Sequence, residues 1–336
     1  MLIDKLFEKG ARFLGSKYPI MCGAMTWVSD AKLISAIGEA GGFAFLAGGN
    51  APCDVLEKEI AKVKEKTEKP FGVNLITIAP MYKEHLDLVC DLKCNVIAFA
   101  GTFPRDTEIA KAKDAGAKVL AFAPTEQLAA KLVKMGVDGL IIEGSEAGGH
   151  IGPVALSILI QQILFKIDDV PIFVAGGIAT GKMMAHLLLM GAAGVQMGTR
   201  FVLAEECGAH HNFKEAFIKA KAKDASPTPQ FDQRIPIIPV RTLKNQSTEA
   251  FCRLQLDLMN KLDQKALDRK AAQYETEKFW IGSLKDAVVD GNIEKGSLMA
   301  GQSVGLVDKI MPAKNIIDEM IKDAEYELEQ IKIKLC

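Results

Sequence analysis

Short apolar runs alternate with amphipathic ones over the first two-thirds of the chain. The strand candidates are residues 19–22, 43–47, 71–75, 96–99, 118–122, 139–143, 171–175 and 194–197. Several are apolar at every position, the pattern of a strand covered on both faces. Between them, residues 31–40, 55–66, 85–92, 125–135 and 182–190 carry apolar side chains at helical spacing. Eight strands in a regular strand–helix repeat predict an α/β protein closed as a TIM (β/α)8 barrel rather than an open sheet.

After residue 197 the alternation stops. A proline-rich passage runs from Pro227 to Pro239, and helical patterning follows from Ser247 to about Lys270. The expected layout is a barrel of residues 1–203 with 291–336, and a small insertion domain after strand eight, residues 204–290, lying as a lid near the barrel mouth. A last helix, residues 313–334, is expected on the outside.

Composition narrows the function classes. Of 336 residues, 49% are hydrophobic and 25% charged, ordinary for a globular protein with a large core. Forty-one basic against 42 acidic residues give a net charge of -1, so no basic footprint for nucleic acid is expected. No apolar run approaches the roughly 18 residues of a membrane span. The N-terminal residues mix acids and bases without the apolar run of a secretory signal, which predicts a cytoplasmic protein. The seven cysteines (Cys22, Cys53, Cys90, Cys94, Cys207, Cys252 and Cys336) are scattered, as expected of reduced thiols. Cys90 and Cys94 fall four apart, on one face of an expected helix, but no His or second pair accompanies them, so no metal site is expected.

Glycine gathers where the strands end: Gly23, Gly48-Gly49-Asn50, Gly101, Gly144, Gly176-Gly177 and Gly198-Thr199. Glycine marks turns anywhere. Its recurrence at one end of successive strands instead points to the catalytic end of a barrel. The richest stretch is Glu143-Gly-Ser-Glu-Ala-Gly-Gly-His-Ile-Gly152. His150 there is the candidate proton donor or acceptor. Glu146 would either cap its loop or orient His150. Gly176, Gly177, Gly198 and Thr199 follow strands seven and eight, the usual anion corner of a barrel, which could take any phosphorylated molecule. Asn74 closes an apolar run with an amide able to meet a ring edge. In the first loop, Cys22-Gly-Ala-Met-Thr-Trp-Val28, Met25 and Trp27 could wall a flat-ring pocket, or Trp27 could be ordinary core. His210-His211 reads as a surface pair without a third ligand. No Gly-x-Gly-x-x-Gly dinucleotide fingerprint follows the first strand.

Taken together, Tyr18-Pro-Ile-Met-Cys-Gly-Ala-Met25, Ala40-Gly-Gly42, Pro70-Phe-Gly-Val-Asn74, Glu143–His150, Ala175-Gly-Gly-Ile178, Gln196-Met-Gly-Thr-Arg200 and Gly296-Ser-Leu-Met-Ala-Gly-Gln302 resemble the nitronate monooxygenase (2-nitropropane dioxygenase) superfamily over nearly the whole chain. That superfamily includes FMN-dependent enoyl-acyl-carrier-protein reductases. The resemblance implies FMN held at the barrel mouth. Gly23, Ala24, Met25 and Asn74 would line its ring; Glu143, Gly148 and Gly149 would come from the His loop; Gly176, Gly177, Gln196, Met197, Gly198 and Thr199 would hold its ribityl phosphate. It also implies His150 as the active-site histidine, and the 299–302 stretch returning toward the flavin. Met25-Thr-Trp-Val28, Gly48-Gly-Asn-Ala-Pro52 and Val240-Arg-Thr-Leu-Lys-Asn245 favour the reductase branch, with NADH or NADPH as reductant and an acyl-thioester substrate, on an acyl carrier protein among other carriers. Homodimerisation is compatible with this reading. Thr26, where those reductases have a small apolar residue, and a longer extension before Tyr18 depart from the pattern. The alternatives are a nitronate monooxygenase using O2 on alkyl nitronates, a flavin-free barrel enzyme acting on a phosphorylated substrate, and a non-catalytic binding module.

Overall fold

The eight apolar runs pair in chain order and close on themselves. The computed structural model describes residues 2–49, 51–235 and 237–335; Asn50 of the strand-two glycine loop, Pro236 of the proline-rich passage and Cys336 lie outside them. The strands are β1 (Ile20–Cys22), β2 (Phe43–Ala47), β3 (Gly72–Ile76), β4 (Val96–Ala100), β5 (Lys118–Phe122), β6 (Gly139–Glu143), β7 (Gly149–His150), β8 (Ile172–Ala175), β9 (Gly194–Met197), β10 (Ala225–Pro227) and β11 (Val240–Leu243). β1 to β6, β8 and β9 form the closed parallel barrel, as the sequence pattern predicts, so β8 and β9 are its seventh and eighth strands. Closure is the register Met21 beside Gln196 and Cys22 beside Met197.

Barrel strands alternate their side chains inward and outward. The inward set includes Met21, Phe43, Phe45, Val96, Leu120, Ile141 and Phe173, a packed plug rather than a pore. The outward set packs against the surrounding helices in the larger core. Gly72 leaves space for Phe45: a methyl there would stand 2.4 Å from the Phe45 ring.

The helices are α1 (Leu2–Leu14), α2 (Ala31–Glu39), α3 (Cys53–Lys66), α4 (Tyr82–Asp91), α5 (Asp106–Asp114), α6 (Glu126–Lys134), α7 (Leu156–Leu159, continuing as a π-helical turn, Ile160–Leu164), α8 (Gly181–Leu189), α9 (Thr199–Val202), α10 (His211–Lys219), α11 (Gln246–Asp263), α12 (Arg269–Val288) and α13 (Ala313–Leu335). The extension before Tyr18 is α1, which stoppers the N-terminal end of the barrel. Leu14 joins the inner core, and the Phe13 ring lies 5.7 Å from that of Phe173. α5 gives little periodic signal because only Ile109 and Ala112 of its nine residues are buried. The helical patterning from Ser247 is two helices, separated around Lys265 at φ 55, and the second runs on past Lys270 to Val288. One expectation fails here. Cys90 and Cys94 do not share a helix face, since α4 stops at Asp91 and Lys93 adopts φ 52.

The segment after β9 divides between two cores. Phe213 and Phe217 of α10 pack into the barrel core, whereas Ile235, Val240, Phe251, Leu258 and Trp280 form a separate cluster. Met299 touches both. β10, β11 and β7 make a small antiparallel sheet that joins the His loop to this second cluster. Among the described residues no helix is long and apolar enough to cross a membrane, and no group of three or more His, Cys, Asp or Glu could hold a metal.

Gly10 is where α1 meets the barrel base most closely: a methyl added there would lie 1.8 Å from the Ala193 carbonyl oxygen. Alanine gains about 1 kcal/mol of helix propensity over glycine, but overpacking of this kind costs about 1–3 kcal/mol. Gly10→Ala should therefore lower the urea midpoint of unfolding. An unchanged midpoint would mean that α1 does not seat on the barrel in solution.

Candidate active site

On three strands an inward position toward the C-terminal end is polar: Asn74 of β3, followed by inward Ile76, Glu143 at the end of β6 and Gln196 of β9. The register Glu143 beside Ala175 beside Gln196 sets the last two on either side of a small residue. None of these three side chains hydrogen-bonds to a described residue. All three line one space.

That space is a cavity of about 540 Å³, within the range of small-molecule sites. Every site residue expected from the sequence lines it: Gly23, Ala24 and Met25 of the first loop; Asn74; Glu143, Gly148, Gly149 and His150; Gly176 and Gly177; and Gln196, Met197, Gly198 and Thr199. Met299, Gly301 and Ser303 line it too, whereas Ala300 and Gln302 do not.

Each loop is held by local bonds. The Ser29 hydroxyl donates to the Gly23 carbonyl (3.2 Å) and accepts from the Met25 amide (2.9 Å), which folds the first loop over the β1 end. Trp27 at its tip takes φ 67 and is 46% exposed. Its indole donates to the Ile281 carbonyl (3.2 Å) on α12. Trp27 is thus neither a pocket wall nor core; it straps the first loop to the inserted helix. In the anion corner, Gly176 and Gly177 adopt φ 88 and 71, the left-handed region that glycine tolerates. The amides of Gly177 and Gly198 donate to none of the described residues. The Thr199 hydroxyl accepts from the Gly301 amide (3.0 Å), bringing the 299–302 stretch onto the corner.

The His loop is bound on both sides. Arg241 donates through Nε (3.0 Å) and Nη2 (2.8 Å) to the Ser145 carbonyl. Gly148 has no room for a side chain: a methyl would fall 2.4 Å from the Gly301 amide nitrogen. Glu146 accepts from the Leu156 amide (3.1 Å), so it caps α7 and does not orient His150. The partner of His150 is Glu277 on α12, with Nε2 to Oε2 at 3.2 Å. The sequence offers no signal for that pairing, because the two residues stand 127 positions apart. His210 accepts from the Asn212 amide (3.1 Å) and caps α10, while His211 is exposed.

Glu143 stands half-buried at the cavity floor, and burial of its carboxyl pushes its pKa up to about 8. In its protonated form it can donate as well as accept a hydrogen bond.

Comparison with known proteins follows the same lines. The sequence profile of the nitronate monooxygenase family matches residues 9–85 and 76–323. The chain is 31% identical to the (3aS,4S,5R,7aS)-5-hydroxy-7a-methyl-1-oxo-octahydro-1H-indene-4-carboxyl-CoA dehydrogenase of Mycobacterium tuberculosis, over 94% of this chain and 95% of that one. It is 27% identical to a probable nitronate monooxygenase of Staphylococcus saprophyticus, over 95% and 98%. The solved structure of FabK from Thermotoga maritima superposes with a TM-score of 0.85 at 33% identity, covering 96% of this chain and 97% of that one.

The raised Glu143 pKa has a measurable sign. Between the ordinary carboxyl value of 4.5 and about 8, the folded ligand-free protein keeps a proton that the unfolded chain has released. The folded state therefore loses stability as pH rises through that window. Denaturant titrations of ligand-free protein at pH 5 and pH 8 should show this loss, and Glu143→Gln should flatten it. An equal slope in the variant would show that Glu143 ionises normally.

Proposed function

The chain belongs to the nitronate monooxygenase family and is an oxidoreductase, and on that premise we propose that it uses FMN and NADH or NADPH to reduce the α,β-double bond of an acyl thioester. Within that class, its motifs and its likeness to FabK favour an enoyl-acyl-carrier-protein reductase. The observation that carries the reading is one cavity that joins unpaired polar side chains on its floor, free backbone donors at its anion corner and a histidine at its mouth.

The residues fit a flavin. The free amides of Gly177 and Gly198 suit a phosphate, as backbone donors at strand ends do. Asn74, Glu143 and Gln196 offer both donors and acceptors to the edge of a polar ring, and Gly23, Ala24 and Met25 give a small-residue wall beside it. When bound, FMN supplies the hydride relay between nicotinamide and the substrate's β-carbon. The protein's share is to orient the two partners, exclude water and manage a proton. His150 delivers that proton to the α-carbon as the hydride reaches the β-carbon. The sum is one NAD(P)H and one proton consumed per double bond. The thioester assignment draws support from the coenzyme A dehydrogenase similar over nearly the whole chain. On the same reading, apolar Ile76, Ile78 and Phe122 on the far wall face the acyl chain.

Purified protein should be yellow and release one flavin per chain on denaturation; a colourless protein that takes up no added FMN would falsify the proposal. Anaerobic NADH or NADPH should bleach the flavin, and crotonyl thioester should restore its colour. Indifference to nicotinamide, with bleaching by an alkyl nitronate, would instead make it a nitronate monooxygenase. His150→Ala should lower turnover by about 10²–10⁴-fold, the usual share of a positioned acid–base group. It should keep its FMN, because the anion corner is untouched.

A further inference from the structure

His150 is poorly determined by its own neighbourhood in sequence. It sits on the two-residue β7 after Gly149, which takes φ 75. The pairing of His150 with Val240 of β11 fixes the backbone but leaves the ring free to turn. Among the described residues the only side chain bonded to that ring is Glu277, whose two carboxylate oxygens lie 3.2 and 3.4 Å from Nε2. The nearer candidates in sequence are engaged or elsewhere: Glu146 caps α7, and Glu143 lies on the cavity floor.

Glu277 is itself held in place from two directions. Three residues further along α12, the Trp280 ring lies 4.3 Å from that of Phe251, tilted against it, inside the second core. At the next position, the Ile281 carbonyl takes the Trp27 indole from the first barrel loop. The carboxylate is therefore delivered to the cavity mouth by a helix clamped to the inserted segment on one side and to the barrel on the other.

We infer that Glu277 is the positioning residue of His150: its carboxylate accepts from Nε2, fixes the ring and leaves Nδ1 to exchange a proton with substrate. A carboxylate so placed sets the tautomer and orients the ring, as hydrogen-bonded acids do for histidine elsewhere. Glu277 touches neither substrate nor cofactor on this account; it acts through His150. The inference rests on the acid–base role proposed for His150. It adds that the inserted segment supplies part of the catalytic apparatus rather than only a cover.

Its test is a double-mutant cycle read as turnover per bound flavin, with unfolding midpoints recorded alongside. Glu277→Ala and the near-isosteric Glu277→Gln should each lower kcat about 10–100-fold, the usual cost of losing an orienting partner. KM should change little, and flavin bleaching by NAD(P)H should proceed at the normal rate. Glu277→Asp should recover part of the loss. Combined with His150→Ala, Glu277→Ala should cost nothing further, because its effect passes through the missing ring. Multiplying losses, or full turnover in Glu277→Gln beside a slow His150→Ala, would overturn the inference while leaving His150 its role. Full turnover in His150→Ala would remove that role and this inference with it.

Discussion

Pairing of the first strand with the last, Met21 beside Gln196 and Cys22 beside Met197, turns a row of parallel strands into a ring. The geometry of the mouth depends on that seam. The Gly23 amide donates to the Met197 carbonyl (3.0 Å) at its upper end, which places the start of the first loop against the anion corner. A methyl on Gly23 would press on the Gln196 amide at 3.1 Å, so the two sides of the seam touch with no space for larger residues. An open sheet of the same strands would leave the Met25 loop and the Gly198 turn at opposite edges. Closure also leaves no free edge among the eight barrel strands, and α1 covers the lower end.

The inserted segment works by a different rule. Its core around Phe251 and Trp280 is separate from the barrel's, and backbone pairing carries most of its connection to the His loop: Val240 with His150 and Arg241 with Gly149. Phe213 and Phe217 of α10 and Leu284, Ala287 and Val288 at the end of α12 lie in the barrel core, and the Met299 contact, the Trp27 strap and the His150–Glu277 pair add to the junction. A partly exposed polar pair is a weak source of stability. The sheet and those buried side chains therefore hold the segment in place.

How much could be read from the chain differs by element. Barrel strands are readable because each is a short, mostly apolar run and most are followed by glycine, so even the boundaries of β2, β5, β6 and β9 follow from the residues. The cavity lining was readable for the same reason: strand ends in a closed barrel converge wherever they lie in sequence. Glu277 was not. α12 buries Ala272, Thr276, Trp280 and Ser283 among polar neighbours without a clean apolar stripe, and nothing in its sequence says which face meets the barrel. Trp27 misled for a related reason, since a large ring in a mouth loop suggests a wall, whereas a left-handed backbone turns it outward to α12. Cys94 was placed on a helix that had already ended, because a single Lys at positive φ leaves no mark in periodicity.

The three-stranded sheet makes the histidine common property of two parts of the chain. β7 belongs to the barrel's own loop, yet among the described residues it pairs with β11, which follows the last barrel strand in the chain. The stretch leading into β11 puts Ile237, Ile238 and Pro239 on the cavity wall, and the Pro239 carbonyl accepts from the Ile151 amide (2.9 Å). One short run of chain therefore shapes the wall and aligns the His loop, so a change in its backbone would move both together.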